Sequence, residues 1–370
     1  MSTDSPFLEL PGAVEGTGLD AGVPGHYGSP LAEQRALASG TAIAELARGV
    51  LTVTGPDRLS WLDSLTSQRL TTLAPGDSAE TLLLDPHGRL EHDLRVVDDG
   101  HTAWIVVERA EAAPLAVFLD RMRFMLRVEV ADVTAATAVL GRFGSDPVPG
   151  APARARWEDP WSARVVPGGA GYAPELGHPA ADWSWSETVV DRDALPAVSA
   201  LAAAGEIAVA GALAVEALRI AAWRPRLGAD TDERSIPHEL DWLRSAVHLG
   251  KGCYRGQETV AKVHNLGRPP RRLVLLNLDG SEGVPVAAGA RVEDAAGTVV
   301  GTVTSAALHH ELGPIALALV KRNLNATAQL VVRTGGVALA AAQEIIVPAD
   351  AGPALADLPK LPRLGSAARR

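Results

Sequence analysis

The densest run of reactive groups in the chain is Lys251-Gly252-Cys253-Tyr254-Arg255-Gly256-Gln257-Glu258. A thiol, two cations, a phenol, an amide and a carboxylate crowd between two glycines, and each of those polar groups needs a partner if buried. The glycines permit backbone shapes and close approaches that other residues resist. If the segment is extended, Lys251, Cys253 and Arg255 share one face, because alternate residues of a strand point the same way. Both cations would then stand near the sulfur and favour the thiolate. A thiolate can serve as nucleophile, redox group or transient metal ligand.

The elements that must position this run divide into textures. Residues 1–30, rich in Gly, Pro and Ser, read as an irregular leader. Residues 31–48 read as partly helical, with Gly40 interrupting. A strand at 50–54 leads through Gly55-Pro56-Asp57 into a helix carrying Leu59, Leu62 and Leu65. Strands follow at 79–84, 89–97 and 102–107, the first two joined by the turn Pro86-His87-Gly88, then a helix at 110–124 and strands at 125–131 and 134–140. Residues 145–160 and 161–190 read as loops, and 192–204 and 211–222 as alanine-rich helices. This alternation predicts an α+β region with a split βαβ, ferredoxin-like module over 31–269. From 270 to 348, short strands at 271–278, 289–293, 298–305, 314–320 and 328–333 predict a small β-barrel. The composition of 349–370 predicts a disordered tail.

Composition narrows the function. At 370 residues and 47% hydrophobic content, the chain can bury large cores without staples. A net charge of −10 argues against direct nucleic-acid binding, which wants a basic field. The single cysteine can form no internal disulfide, and it cannot alone hold an iron–sulfur cluster or structural zinc, which take about four ligands. No stably bound metal is expected; His309 and His310, adjacent on a strand, point to opposite faces. No signal peptide and no membrane span are read from the sequence, and the expected location is the cytoplasm.

The octapeptide matches the K-G-C-Y-x-G-Q-E signature of the YgfZ branch of the GcvT-like, aminomethyltransferase-like folate-binding family, and the chain resembles that branch from about residue 26 to 347. Supporting segments are Val53–Arg58, Leu82–Val97, Leu218-Arg219, Ile236–Glu239 and Val300–Ser305. The resemblance implies a three-lobed, ring-like α+β fold around a central site for tetrahydrofolate or a substituted reduced folate. It implies a role in assembly or repair of iron–sulfur proteins, including tRNA-modifying enzymes, with iron–sulfur client or assembly proteins as partners. Cys253 and Lys251 would be the working residues. Asp93 lies near the paired acids of the related T-proteins and would act as acid, base or charge stabiliser. Glu239 would accept hydrogen bonds from a pterin edge, Trp242 would line the pocket, and Arg219 would bind the folate's glutamate tail. Tyr254, Arg255, Gln257 and Glu258 complete the expected cofactor-binding set. The family's helix end carries a glycine that is missing here, where Arg219 leads into Ile220-Ala221-Ala222-Trp223. Two alternatives stay open: a tetrahydrofolate-dependent aminomethyltransferase or demethylase of the glycine cleavage T-protein type, for which Asp93 is the retained acid, and a non-catalytic protein-binding scaffold.

Overall fold

A computed structural model describes residues 5–352. The elements run β1 (Val14–Glu15), β2 (Pro24–His26), α1 (Pro30–Ala38), β3 (Ala42–Leu46), β4 (Arg48–Thr54), α2 (Arg58–Leu65), β5 (Ser78–Leu84), β6 (Leu90–Asp98), β7 (Thr102–Glu108), α3 (Ala112–Met122) and β8 (Glu129–Asp132). They continue with β9 (Thr137–Phe143), β10 (Ala153–Glu158), β11 (Trp185–Asp191), α4 (Leu195–Ala203), β12 (Ala208–Val209), α5 (Ala212–Ala221), α6 (Leu243–Ala246) and α7 (Gln257–Leu266). The C-terminal strands are β13 (Arg271–Leu278), β14 (Arg291–Asp294), β15 (Val299–His309), β16 (Gly313–Lys321), β17 (Leu330–Thr334) and β18 (Val337–Ile345).

Three lobes result: two five-stranded sheets, ordered β5-β6-β7-β4-β8 and β10-β11-β9-β3-β12, and a closed barrel ordered β13-β16-β15-β14-β17-β18. This is the expected α+β architecture with a C-terminal barrel. The two sheets interleave in sequence, because only Ala47 separates β3 in the second sheet from β4 in the first. In the second sheet β12 pairs parallel to β3, so β11-α4-β12 is a crossover split by β9 and β3.

Period-two alternation decides what each strand presents. On β6, Leu94 and Val96 pack beneath α2 and α3 with Leu62, Leu115 and Leu119, whereas Asp93 and Arg95 face the other way and are still buried. On β13, Val274 and Leu276 fill the barrel, while Leu273 and Leu275 join a core shared with Leu82, Trp161, Trp223 and Trp242. These strands are buried on both faces, and their second face meets the neighbouring lobes.

Local chemistry explains the β5–β6 turn. The Asp85 carboxylate accepts hydrogen bonds from the backbone N–H groups of His87 and Arg89, both at 2.8 Å, and Gly88 takes a φ of +78°. Elsewhere the sequence expectations need correction. Residues 31–48, read as partly helical with Gly40 interrupting, are helical up to Ala38, and 42–46 is a buried strand paired to β9. The expected strand at 125–131 shrinks to 129–132, after a turn in which Phe124 adopts φ +44°. Both expected loops contain strands, β10 and β11, and β18 closes the barrel although its Ala-rich sequence carries little strand signal. Residues 5–29 include the β1–β2 pair and the buried side chain of Phe7. The tail expected at 349–370 lies outside the described residues beyond position 352. No helix among the described residues is long and apolar enough to cross a membrane.

Gly141 on β9 gives a packing test. A Cβ there would overlap the Trp185 indole and the Leu46 side chain, both buried. Gly141→Ala is expected to destabilise the fold by about 1–3 kcal/mol, as overpacking of a filled core does. Urea unfolding of the two proteins checks this; an unchanged midpoint would show that the second sheet gives way freely at that point.

Candidate functional site

The signature run leaves α6, turns over the β5–β6 hairpin and enters α7. Gly256 takes φ +84° with its Cα against the Asp85 carbonyl and Gly88, an approach that a side chain would block. The segment is therefore a turn and not an extended strand, and the cations do not gather at the sulfur. The Lys251 ammonium points inward and donates to the backbone carbonyls of Asp63, Thr66 (2.6 Å) and Gln68 (3.0 Å), with the Asp63 carboxylate at 3.3 Å. Its side chain is 1% exposed. Burial pulls the lysine below its usual range, and Asp63 opposes that shift. The ammonium also lies 5.3 Å from the centroid of the buried Tyr254 ring. Arg255 forms a bidentate pair with Glu91, at 2.6 and 3.2 Å, and sits over Phe118. Gln257 reaches only the carbonyls of Lys251 and Gly252, both at 3.4 Å. Cys253 and Glu258 are exposed, and Cys253 makes no hydrogen bond among the described residues. The thiol thus stands at the surface on a short turn pinned from below.

The interior between the lobes holds a lattice of buried charges. Arg224 donates to Glu80 (2.5 Å) and Asp159 (3.0 Å). Glu80 also accepts from the Trp242 indole (2.9 Å) and from the Ser245 hydroxyl. Arg226 pairs with Glu108, Glu216 and Asp20, and Arg95 pairs with Glu187. Burial opposes the charge of Glu80, but Arg224 and its hydrogen-bond donors outweigh it and hold the carboxyl below its usual range. Asp93 behaves oppositely. Burial, reinforced by the nearby Glu80, drives it well above the carboxylate range; Arg95 is 3.6 Å away and does not compensate. One Asp93 oxygen has no hydrogen-bond partner, nor do Arg48 Nε, Arg95 Nε or Arg224 Nη1.

The residues expected to hold a folate have partners inside the chain. Both carboxylate oxygens of Glu239 accept from Arg271, at 3.0 and 2.8 Å. Trp242 is wholly buried and its N–H is used by Glu80. Arg219 is held by Glu216, Asp230, Ser305 and the Arg224 carbonyl. Where the family's glycine is missing, Trp223 takes φ +60° and α5 ends with Trp223 N–H on Ile220 and Arg224 N–H on Arg219, a cap in which glycine is usual. The central cavity, lined by Arg48, Arg95, Arg224, Trp157, Trp183 and Trp185 among others, measures about 30 Å³. That is about the volume share of one water molecule, whereas small-molecule pockets span ~300–1,000 Å³. That cavity leaves no room for a pterin as it stands, and Glu239 and Trp242 do not line it. Among the described residues no group of three or more His, Cys, Asp or Glu is placed to hold a metal ion.

Sequence reading missed Glu80, Arg224, Arg95, Glu108 and Glu187. For Glu80 a signal was present, since it is the one charge in the strand Ser78-Ala79-Glu80-Thr81-Leu82-Leu83-Leu84.

Residues 271–345 match the glycine cleavage T-protein C-terminal barrel domain family. The chain is 29% identical to an aminomethyltransferase of Streptomyces coelicolor, over 80% of this chain and 83% of that protein. It is 28% identical to an aminomethyltransferase of a Nostoc species, over 75% of each. It is 24% identical to a chloroplastic protein of Arabidopsis thaliana provisionally designated a transferase, covering 74% of this chain but only 65% of that protein's length. The solved glycine cleavage system aminomethyltransferase T of Bartonella henselae shares the fold, with a TM-score of 0.72 over 92% of this chain and 95% of that one at 18% identity. In fold this chain is aminomethyltransferase-like, and its barrel matches the T-protein C-terminal domain family.

The charge lattice predicts two contrasting substitutions. Between the ordinary aspartate pKa and the raised folded value, folded Asp93 binds a proton that the unfolded chain releases, so its contribution to stability falls as pH rises through that window. Asp93→Asn is expected to cost little at pH 5 and to gain on the native protein as pH rises to 8. Arg224→Met leaves Glu80 and Asp159 unpaired and is expected to cost about 3–5 kcal/mol. Urea unfolding at pH 5 and pH 8 measures both; equal losses from the two substitutions would mean that Asp93 is ionised in the fold.

Proposed function

We propose that this aminomethyltransferase-like chain works through the Cys253 thiol, as a YgfZ-like protein that supports assembly or repair of iron–sulfur proteins. The observation that carries the reading is the construction beneath the thiol. A buried ammonium is costly, and Lys251 sits in a cage of three carbonyls and one carboxylate that takes up its three N–H donors. Its role is to hold the turn that presents Cys253 to solvent. One thiol supplies one of the roughly four ligands a cluster takes, so the remainder belong to an iron–sulfur client or assembly protein, tRNA-modifying enzymes included. The cluster is cargo here, and no step requires the central cavity or contact with nucleic acid.

The second reading, aminomethyl transfer to a reduced folate, is favoured by the names of the bacterial relatives and by the buried acid Asp93. It requires the arginine lattice to open and admit tetrahydrofolate or a substituted form. A binding scaffold without chemistry is the third.

Gene replacement separates them. With the native gene deleted, the wild-type chain is expected to restore a four-iron cluster enzyme under oxidative stress, and Cys253→Ala is expected to fail while folding normally. Lys251→Met, which strands three carbonyls, is expected to lose about 2–4 kcal/mol of stability and to fail as well. If Cys253→Ala rescues fully, the thiol reading falls. Purified protein that transfers an aminomethyl group to tetrahydrofolate, and loses the activity on Asp93→Asn but not on Cys253→Ala, would put the second reading in its place.

A further inference from the structure

The turn after α3 places apolar side chains in solvent. Phe124 is 80% exposed, Met125 98% and Leu126 43%, and Val117 on the open face of α3 is 52% exposed. Phe124 takes φ +44°, in the left-handed region, at the position past a helix end where glycine is usual. A bulky side chain is strained there, and such strain clusters at functional segments. The turn is fastened at both ends. The Trp61 indole donates to the Met122 carbonyl at 3.3 Å on one side. On the other, the Arg127 backbone N–H donates to Asp57 at 2.9 Å, and Val128 is buried. Clustered exposed apolar groups of this kind mark an interaction site.

This turn and the thiol are tied to the same helix. Asp57, just ahead of α2, holds Arg127, and Asp63, near the end of α2, receives Lys251. The helix between them is about 12 Å long at ~1.5 Å per residue. A second path runs over α3. The Arg255 guanidinium, two positions from Cys253, lies 5.7 Å from the centroid of the Phe118 ring. Phe124 follows Phe118 by about 9 Å at the same rise. A standard interface covers ~800 Å² on each partner, a patch about 30 Å across, so a protein docked at Cys253 covers the turn as well. Charge narrows the partner. Residues 118–128 hold three arginines against the single acid Asp120, in a chain of net charge −10. Arg123 and Arg127 are paired with Asp120 and Asp57, whereas Arg121 is exposed and has no ion-pair partner among the described residues. One free cation is too few to hold an anionic lipid surface, which takes several. It suits an acidic residue at the edge of a protein pocket.

We propose that Phe124 and Met125 anchor the surface on which an iron–sulfur client or assembly protein docks to bring its cluster ligands to Cys253. The inference rests on the thiol reading above and adds the partner's complement: an apolar pocket with a carboxylate at its edge, facing Arg121. A buried aromatic anchor carries a large share of the energy of an interface. Met125 adapts to pockets of different shape, which suits a surface that serves more than one client. The fastened turn holds both side chains in place before the partner arrives, so little freedom is lost on docking.

The probe is the purified, cluster-free form of the four-iron enzyme followed in the gene-replacement assay. The full chain reacts with a maleimide at Cys253 while that enzyme is titrated in, and docking is expected to slow the labelling. In Phe124→Gly with Met125→Ser, the concentration giving half-protection is expected to rise about ten-fold or more, the loss of an interface anchor. Glycine relieves the strain at position 124, so thermal unfolding is expected at the same temperature or higher, and labelling without the enzyme at the same rate. Arg121→Glu is expected to weaken protection and Arg121→Lys to keep it. Equal protection of the double variant and the wild type overturns the proposal, as does an enzyme that slows neither. So does a wild-type dimer in sedimentation that the double variant dissolves, since a second copy then covers the turn, or binding to phosphatidylglycerol vesicles that the double variant loses. The gene-replacement assay tells the failures apart. A double variant that rescues fully while Cys253→Ala fails sinks the docking surface and leaves the thiol reading standing, whereas rescue by Cys253→Ala removes both.

Discussion

The segment from Arg219 to Arg226 holds the three lobes together with three guanidiniums that between them reach every lobe. Arg219 reaches Ser305 on the barrel strand β15, and Asp230, which is itself bound by Thr304 and Ser305. Arg224 reaches Glu80 on β5 of the first sheet and Asp159 just after β10 of the second. Arg226 reaches Glu108 at the end of β7 and Asp20 in the N-terminal segment. All three arginines are buried. Such pairs add little net stability over an apolar substitute, but removing one partner leaves a buried charge, which is severe. An arrangement of the lobes that parted these pairs would strand a buried ion.

That constraint extends to the thiol. Ser245 of α6 donates to Glu80, Gln68 donates to the Ser245 carbonyl, and Ser67 donates to the Ala246 carbonyl. The carbonyls of Thr66 and Gln68, on either side of Ser67, receive the Lys251 ammonium. The polar contacts from Arg224 to the base of the Cys253 turn are therefore contiguous. The lattice fixes α6, α6 fixes residues 66–68, and those residues fix Lys251. The long side chain that sequence spacing placed beside the sulfur serves instead as the tie between surface turn and interior.

Much of the frame was legible because it rests on local rules. The Pro86-His87-Gly88 turn, the strands around it and five of the six barrel strands carry short-range signals. Strand β18 does not, since Val337-Ala338-Leu339-Ala340-Ala341-Ala342 favours a helix locally and becomes a strand only because β13 and β17 each offer it a free edge. The same division runs through the site. The signature run stood out by composition, but the partners of its charges are more than 160 positions away, as Arg255 with Glu91 and Lys251 with Asp63 show. The family resemblance marks Glu239 and Arg219 as ligand residues, yet inside the chain Glu216, three positions away, already engages Arg219. Arg271 engages Glu239, and Ser305 engages Arg219, across the lobe boundary, where only the folded chain can bring them.

Side-chain volume separates the thiol reading from the aminomethyl-transfer reading. A fold of this kind supports chemistry wherever it leaves space and a reactive group together. Here the centre has reactive groups and little space: Asp93 is buried with one unpartnered oxygen, and the nearby cavity between arginines and indoles measures about 30 Å³. The surface turn has space and one reactive group, Cys253, with its neighbouring charges already spent on Glu91 and on backbone carbonyls. A thiol whose neighbours are committed elsewhere relies on what a partner brings to it, which suits an exchange with another protein better than a self-contained reaction. For the centre to take over, Arg224 would have to leave Glu80 and Asp159, and the docking of all three lobes rests on those contacts.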